Sequence, residues 1–124
     1  MALRHETLIA WQRSDDLCVE IYKITRDRFP FEERYRLASQ LRRAAYSVAA
    51  NIVEGYAFPE GPMRIRYLRI ALGSLAEVGY GLHLAKRIGY LTAVEHQAID
   101  AQTRMAAGPL TGLLKKAVAE QKRG

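Results

Sequence analysis

Apolar residues recur along this chain at three- and four-residue steps, and nowhere do they alternate with polar ones for the length of a strand. From about residue 7 to 28, Trp11, Cys18, Ile21, Tyr22 and Thr25 share one helical face, flanked by Leu17 and Ile24. Asp15, Asp16, Glu20, Lys23 and Asp27 fill much of the other face. Thr7 stands where an N-cap belongs, and Pro30, which has no amide hydrogen, ends the helix. A second helix, about 33–56, aligns Leu37, Leu41, Ala44, Val48 and Ile52, and Phe58-Pro59-Glu60-Gly61-Pro62 then forms a loop. A third, about 63–86, aligns Ile65, Leu68, Leu72, Leu75, Val78 and Leu82 and stops at Gly89. The fourth opens at Thr92, with Glu95 in capping-box spacing. It runs through Val94, Ala98, Ala101 and Met105 to Leu110, Leu113, Leu114 and Ala117, and Gly108-Pro109 is expected to kink or split it.

Helices of this size are about 30–45 Å long at 1.5 Å per residue, and short connections force antiparallel neighbours. The pattern therefore predicts an all-α protein. Residues 1–124 are expected to form a single antiparallel up-down-up-down four-helix bundle, its fourth helix kinked near Pro109.

The second helix carries another stripe beside its apolar one. Gln40, Arg43, Ser47, Asn51 and Glu54 fall within an arc of about 80° at the edge of the core. Polar groups at such a boundary need partners, because a hydrogen bond left unmade there costs about 1–3 kcal/mol. A hairpin centred on the 58–62 loop sets Arg43 against Glu77, Ser47 against Gly73 and Glu54 against Arg66, within one turn of register. Gly73, Gly79 and Gly81 cost about 1 kcal/mol each relative to alanine inside a helix, so a close approach of another backbone, within this chain or from a neighbouring subunit, is expected there. The seam Gln40, Ser47, Asn51, Glu54 and Glu77 reads as a structural polar network that fixes helix register. A catalytic reading competes with it, but no histidine near Ser47 in sequence is available to activate that hydroxyl.

The same residues carry a family resemblance. The run Gln40-Leu41-Arg42-Arg43-Ala44-Ala45-Tyr46-Ser47-Val48-Ala49-Ala50-Asn51-Ile52-Val53-Glu54-Gly55 resembles a motif of the four-helix-bundle family named for proteins encoded in intervening sequences of bacterial 23S rRNA genes. Tyr67-Leu68-Arg69-Ile70-Ala71-Leu72-Gly73-Ser74-Leu75-Ala76-Glu77 resembles its second motif, and Trp11-Gln12 with Phe29-Pro30 its opening helix. The likeness covers most of the chain and is weakest after Tyr90. It implies a bundle that closes into a ring-like homopentamer. It also links the chain to the accessory proteins of diversity-generating retroelements, basic bundles that bind nucleic acid and a reverse transcriptase. No enzymatic activity comes with the family, and no cofactor is expected. The loop from Ala57 to Pro62 is apolar and proline-rich where relatives carry polar and basic residues, which speaks against a loop contact with nucleic acid.

Charge sharpens this expectation. The 124 residues hold 19 Lys and Arg against 13 Asp and Glu, a formal +6, so polyanions suit the chain as partners. Between Arg34 and Arg69 lie seven arginines (Arg34, Arg36, Arg42, Arg43, Arg64, Arg66 and Arg69), opposed only by Glu54 and Glu60. Forked guanidinium groups suit bidentate phosphate contacts. We therefore take Arg42, Arg43, Arg64, Arg66 and Arg69, with Lys86 and Arg87, as candidate phosphate contacts on DNA or RNA. No helix-turn-helix spacing, zinc finger or ribonucleoprotein aromatic motif points to base-specific readout. The alternatives are internal pairing of these arginines with acids, and a basic face that docks an acidic protein such as a reverse transcriptase.

Other chemistry is thinly represented. His5, His83 and His96 are scattered, and no Glu-x-x-His motif suggests a di-iron site, so no metal is expected. Cys18, the single cysteine, reads as a core residue and fits a reducing, cytoplasmic setting. No apolar run approaches the ~20 residues that span a bilayer. The seven tyrosines, among them Tyr46, Tyr56, Tyr67, Tyr80 and Tyr90, suit the core boundary or subunit interfaces better than base stacking.

Overall fold

Four helices account for nearly all of residues 4–123, the part of the chain that this computed structural model describes: α1 (Ile9–Arg28), α2 (Leu37–Ala57), α3 (Pro62–Arg87) and α4 (Ala93–Arg123). Residues 1–3 and 124 of the expected domain lie outside the described residues. Each helix packs on its neighbours in chain order, and α4 returns to α1; among the described residues no Cα atoms of the diagonal pairs α1/α3 and α2/α4 come within 8 Å. That arrangement is the up-down-up-down bundle.

The helix ends follow local chemistry. Phe29 takes an extended backbone before Pro30, as the proline ring requires of its predecessor, and α1 stops there. At its start Thr7 is no N-cap: it lies in a single 3-10 turn, Arg4–Thr7, and Leu8 precedes the helix without a side-chain cap. A second 3-10 turn, Phe31–Glu33, displaces the expected start of α2 to Leu37. The Glu33 carboxylate caps that start, accepting the Leu37 amide at 3.0 Å through Oε2 and the Tyr90 hydroxyl at 3.0 Å through Oε1. Gly89, at φ +88°, closes α3 as its amide and that of Tyr90 donate to the Lys86 and Ala85 carbonyls. The capping box of α4 forms in both directions, with Thr92 N donating to Glu95 Oε1 at 2.9 Å and Glu95 N to Thr92 Oγ1 at 3.1 Å. Arg28 pairs with the same carboxylate, tying the end of α1 to the start of α4.

Pro109 does not split α4, which runs 31 residues through it. A proline deprives the carbonyl four residues earlier of its amide donor, here Met105. Arg13 of α1 supplies a substitute, its Nη1 donating to the Met105 carbonyl at 2.9 Å.

Leu17 and Ile21 of α1, Leu41, Val48 and Ile52 of α2, Leu68, Val78 and Leu82 of α3, and Leu110 of α4 form the buried centre. The expected stripes of α2 and α3 hold, although Leu37 and Leu72 are only partly covered. In the first half of α4 the expected face is wrong. Val94, Ala98, Ala101 and Met105 face solvent, while Ile99, Thr103 and Ala106 point inward. Thr103 disguised the true stripe, since its hydroxyl donates to the Ile99 carbonyl at 3.0 Å and so is satisfied within its own helix. Ser14 and Thr25 are buried in α1 in the same way, and Tyr22 is exposed instead.

Candidate nucleic-acid interface

The α2–α3 hairpin is the most extensively packed pair, and the contacts Ser47–Ser74, Leu41–Gly81 and Gly55–Tyr67 shift its register by a residue or two from that expected. Ser47 and Ser74 hydroxyls lie 2.7 Å apart, and Asn51 Nδ2 donates to Ser47 Oγ at 2.9 Å and to the Ser47 carbonyl at 2.8 Å. This small network is the part of the polar seam that packs between helices. Gln40, Arg43, Glu54 and Glu77 are exposed, and neither Arg43–Glu77 nor Glu54–Arg66 forms an ion pair. With the shifted register Glu77 borders Gln40 and Ala44 and not Arg43.

Within the chain, the close backbone approach expected at the α3 glycines is also relocated. Nothing lies within 4 Å of a side-chain carbon built on Gly73 or Gly79, and Gly81 admits only the Leu41 side chain. It is Gly55 of α2 that meets α3 backbone, where an added Cβ would lie 3.4 Å from the Arg64 carbonyl oxygen.

Two of the seven candidate phosphate contacts are occupied internally. Arg64 is only 5% exposed: Nη2 donates to the Phe58 carbonyl at 2.9 Å and Nε to the Gly55 carbonyl at 3.4 Å. Its guanidinium also lies 4.2 Å from the Tyr56 ring centroid. Arg64 thus closes the end of α2, where unpaired carbonyls and the negative end of the helix dipole favour a cation. Arg42 is half-buried and reaches α1, with Nε donating to Thr25 Oγ1 at 2.9 Å above the Tyr22 ring. These are corrections to the sequence expectation, which could not separate inward from outward arginines.

Arg43, Arg66, Arg69, Lys86 and Arg87 remain exposed. Among the described residues, the ion pairs are Lys23–Glu20, Arg26–Asp27, Arg28–Glu95, Arg104–Asp100 and Lys116–Glu120, all drawn from α1 and α4 and none from α2 or α3. On α3, Arg66, Arg69 and Arg87 share the outward face with Glu77, since Arg69 and Arg87 are about five turns apart. The cations extend about 30 Å along the hairpin, a track and not a pocket.

No three His, Cys, Asp or Glu side chains converge as a metal site among the described residues, and no described helix is long and apolar enough to cross a membrane. Burial, and then the Asp15 charge, push the Cys18 thiol above its ordinary value, so the thiolate form is disfavoured.

No curated protein is significantly similar to the chain. Among solved structures, a protein of unknown function from the S23 ribosomal protein family of Bacteroides thetaiotaomicron superposes with a TM-score of 0.76 at 25% identity, over 86% of this chain and 99% of that one. The family model described as 23S rRNA-intervening sequence protein matches residues 6–112, nearly the whole bundle with both hairpin motifs, and the chain belongs to that family.

Proposed function

We propose that the protein is a non-enzymatic module that binds nucleic acid through phosphate contacts, without base-specific readout, from the outward face of α2 and α3. The observation that carries this reading is the set Arg43, Arg66, Arg69, Lys86 and Arg87, exposed and, among the described residues, without carboxylate partners, whereas Lys23, Arg26, Arg28, Arg104 and Lys116 of α1 and α4 are paired. A linear track of guanidinium groups suits an extended polyanion, which gains affinity by releasing counterions along its length. The ribosomal-protein label of the similar Bacteroides structure is consistent with this class of partner.

We further propose that the chain works as a homo-oligomer, in the ring of five that the family likeness implies. Tyr46, at 64% exposure, Tyr80, at 66%, and Ile70 leave apolar surface on the same two helices that an assembly would cover. Repetition around a ring would multiply a modest basic face. Sedimentation of the purified protein tests this, and a monomer at micromolar concentration would refute it.

Fluorescence anisotropy with heterogeneous duplex DNA and RNA across a salt series tests the binding itself. Affinity should fall steeply with salt, and an Arg43→Gln/Arg66→Gln/Arg69→Gln variant should flatten that dependence by about one phosphate contact per residue. Absence of binding at low salt would refute the proposal. It would leave an acidic protein surface, such as that of a reverse transcriptase, as the partner for these cations.

A further inference from the structure

The end of the bundle where α1 passes to α2 carries a second feature. Phe31 is 76% exposed and Tyr35 81%, the two most exposed aromatic rings among the described residues. Arg34 lies between them, its guanidinium carbon 3.6 Å from the Phe31 ring centroid and 4.6 Å from that of Tyr35. Each ring has one face toward the cation and much of the remainder toward solvent. The backbone beneath is held by Glu33 N donating to the Pro30 carbonyl, Arg34 N to that of Phe31 and Arg36 N to that of Glu33. Glu33 is engaged by Leu37 and Tyr90, so the platform is ordered before any ligand arrives.

The charge around the rings is positive. Tyr90 bonds Glu33 through its hydroxyl and the Ala85 carbonyl through its amide, which brings the C-terminal end of α3 beside this turn. Arg34, Arg36, Lys86 and Arg87 therefore gather at one end of the molecule, all exposed and, among the described residues, without ion pairs, with Glu32 the one exposed acid in the turn. An apolar protein surface seated on the rings would bury these unpaired cations at a heavy desolvation cost. A nucleic-acid strand supplies both complements, bases for the ring faces and phosphates for the cations.

We propose that Phe31 and Tyr35, braced by Arg34, form a stacking platform for unpaired bases, with Arg36, Lys86 and Arg87 taking the adjoining phosphates. The platform gives the protein a preference for single-stranded over duplex nucleic acid, because bases within a duplex have no free faces. This rests on the reading of the chain as a nucleic-acid binder and adds a site that the phosphate track does not contain.

The test is anisotropy at low salt with labelled oligouridylate and oligothymidylate of about ten nucleotides, beside duplex DNA of equal length. Phe31→Ala/Tyr35→Ala should weaken single-strand binding about tenfold or more per ring and leave duplex binding unchanged. Phe31→Leu/Tyr35→Leu, which keeps apolar bulk but loses the aromatic faces, should behave like the alanine variant. Both rings are exposed, so thermal midpoints should match the parent protein. Unchanged single-strand affinity in the alanine variant would overturn the platform while the phosphate track stands. Failure of the parent protein to bind either form would overturn both. A shift of the variant to a smaller assembly in sedimentation would overturn the platform in favour of a subunit contact.

Discussion

The Arg13–Met105 contact makes a prediction that can be worked through quantitatively. Pro109 in the interior of α4 is about 3 kcal/mol less favourable than alanine, partly because the Met105 carbonyl loses its amide donor. Arg13 donates to that carbonyl at 2.9 Å. A hydrogen bond from a charged donor contributes about 1.5–3 kcal/mol when buried. Met105 is 53% exposed, so water replaces much of the loss, and Arg13→Ala should cost about 0.5–1.5 kcal/mol. In a domain of this length that is a fall of roughly 2–6 °C in melting temperature. Pro109→Ala restores the amide and should stabilise by about 2 kcal/mol. In that background the carbonyl is already satisfied, and Arg13→Ala should cost nearly nothing. Urea unfolding of the two single variants and the double variant, followed by circular dichroism, gives the coupling, expected at about 1 kcal/mol. An equal cost of Arg13→Ala in both backgrounds would show that Arg13 does not compensate for the proline.

Other outcomes follow from single sites. Arg64→Ala should destabilise by about 2 kcal/mol, losing two charge-assisted bonds that close α2, and should leave the salt slope of nucleic-acid binding unchanged because Arg64 meets no phosphate. Gly73→Ala should stabilise an isolated chain by up to about 1 kcal/mol, having open space around it, whereas Gly81→Ala should destabilise because its Cβ would fall 2.6 Å from Leu41 Cδ2; denaturation midpoints distinguish the two. The Thr92 amide first, then the Thr92 hydroxyl and Arg28, hold the Glu95 carboxyl below the usual carboxylate range. Its stabilisation is thus complete above the unfolded-state value and disappears as pH falls through the folded one, so Glu95→Gln should reduce the acid-side slope of stability measured by pH-dependent melting.

Much of the bundle is readable from residue types because its signals are local. Leu41, Val48 and Ile52, or Leu68, Leu75 and Leu82, repeat at the helical period, and Pro30, Gly89 and the Thr92–Glu95 pair mark ends through backbone chemistry that involves only neighbours in sequence. Reading failed where a residue's chemistry is answered elsewhere. Thr103 looks like a surface residue and is buried, because its hydroxyl bonds to its own helix. Phe31 and Tyr35 stand out only once the turn after Pro30 is seen to hold them outward; the sequence signal, two aromatic residues flanking an arginine beside a proline, is weak by itself.

The order of amphipathic segments and the shortness of their connections were enough to establish an antiparallel four-helix bundle with a basic middle hairpin, since periodicity and charge belong to the residues themselves. Which arginines face water is a different kind of property. Arg64 and Arg66 are the same side chain two positions apart, about 200° around the helix, and one closes α2 while the other meets solvent. That distinction depends on where α2 ends, on the register of α2 against α3 at Gly55, and on which backbone carbonyls lie within reach of the guanidinium. Only the packed helices determine all three, because desolvation and pairing act between groups far apart in sequence.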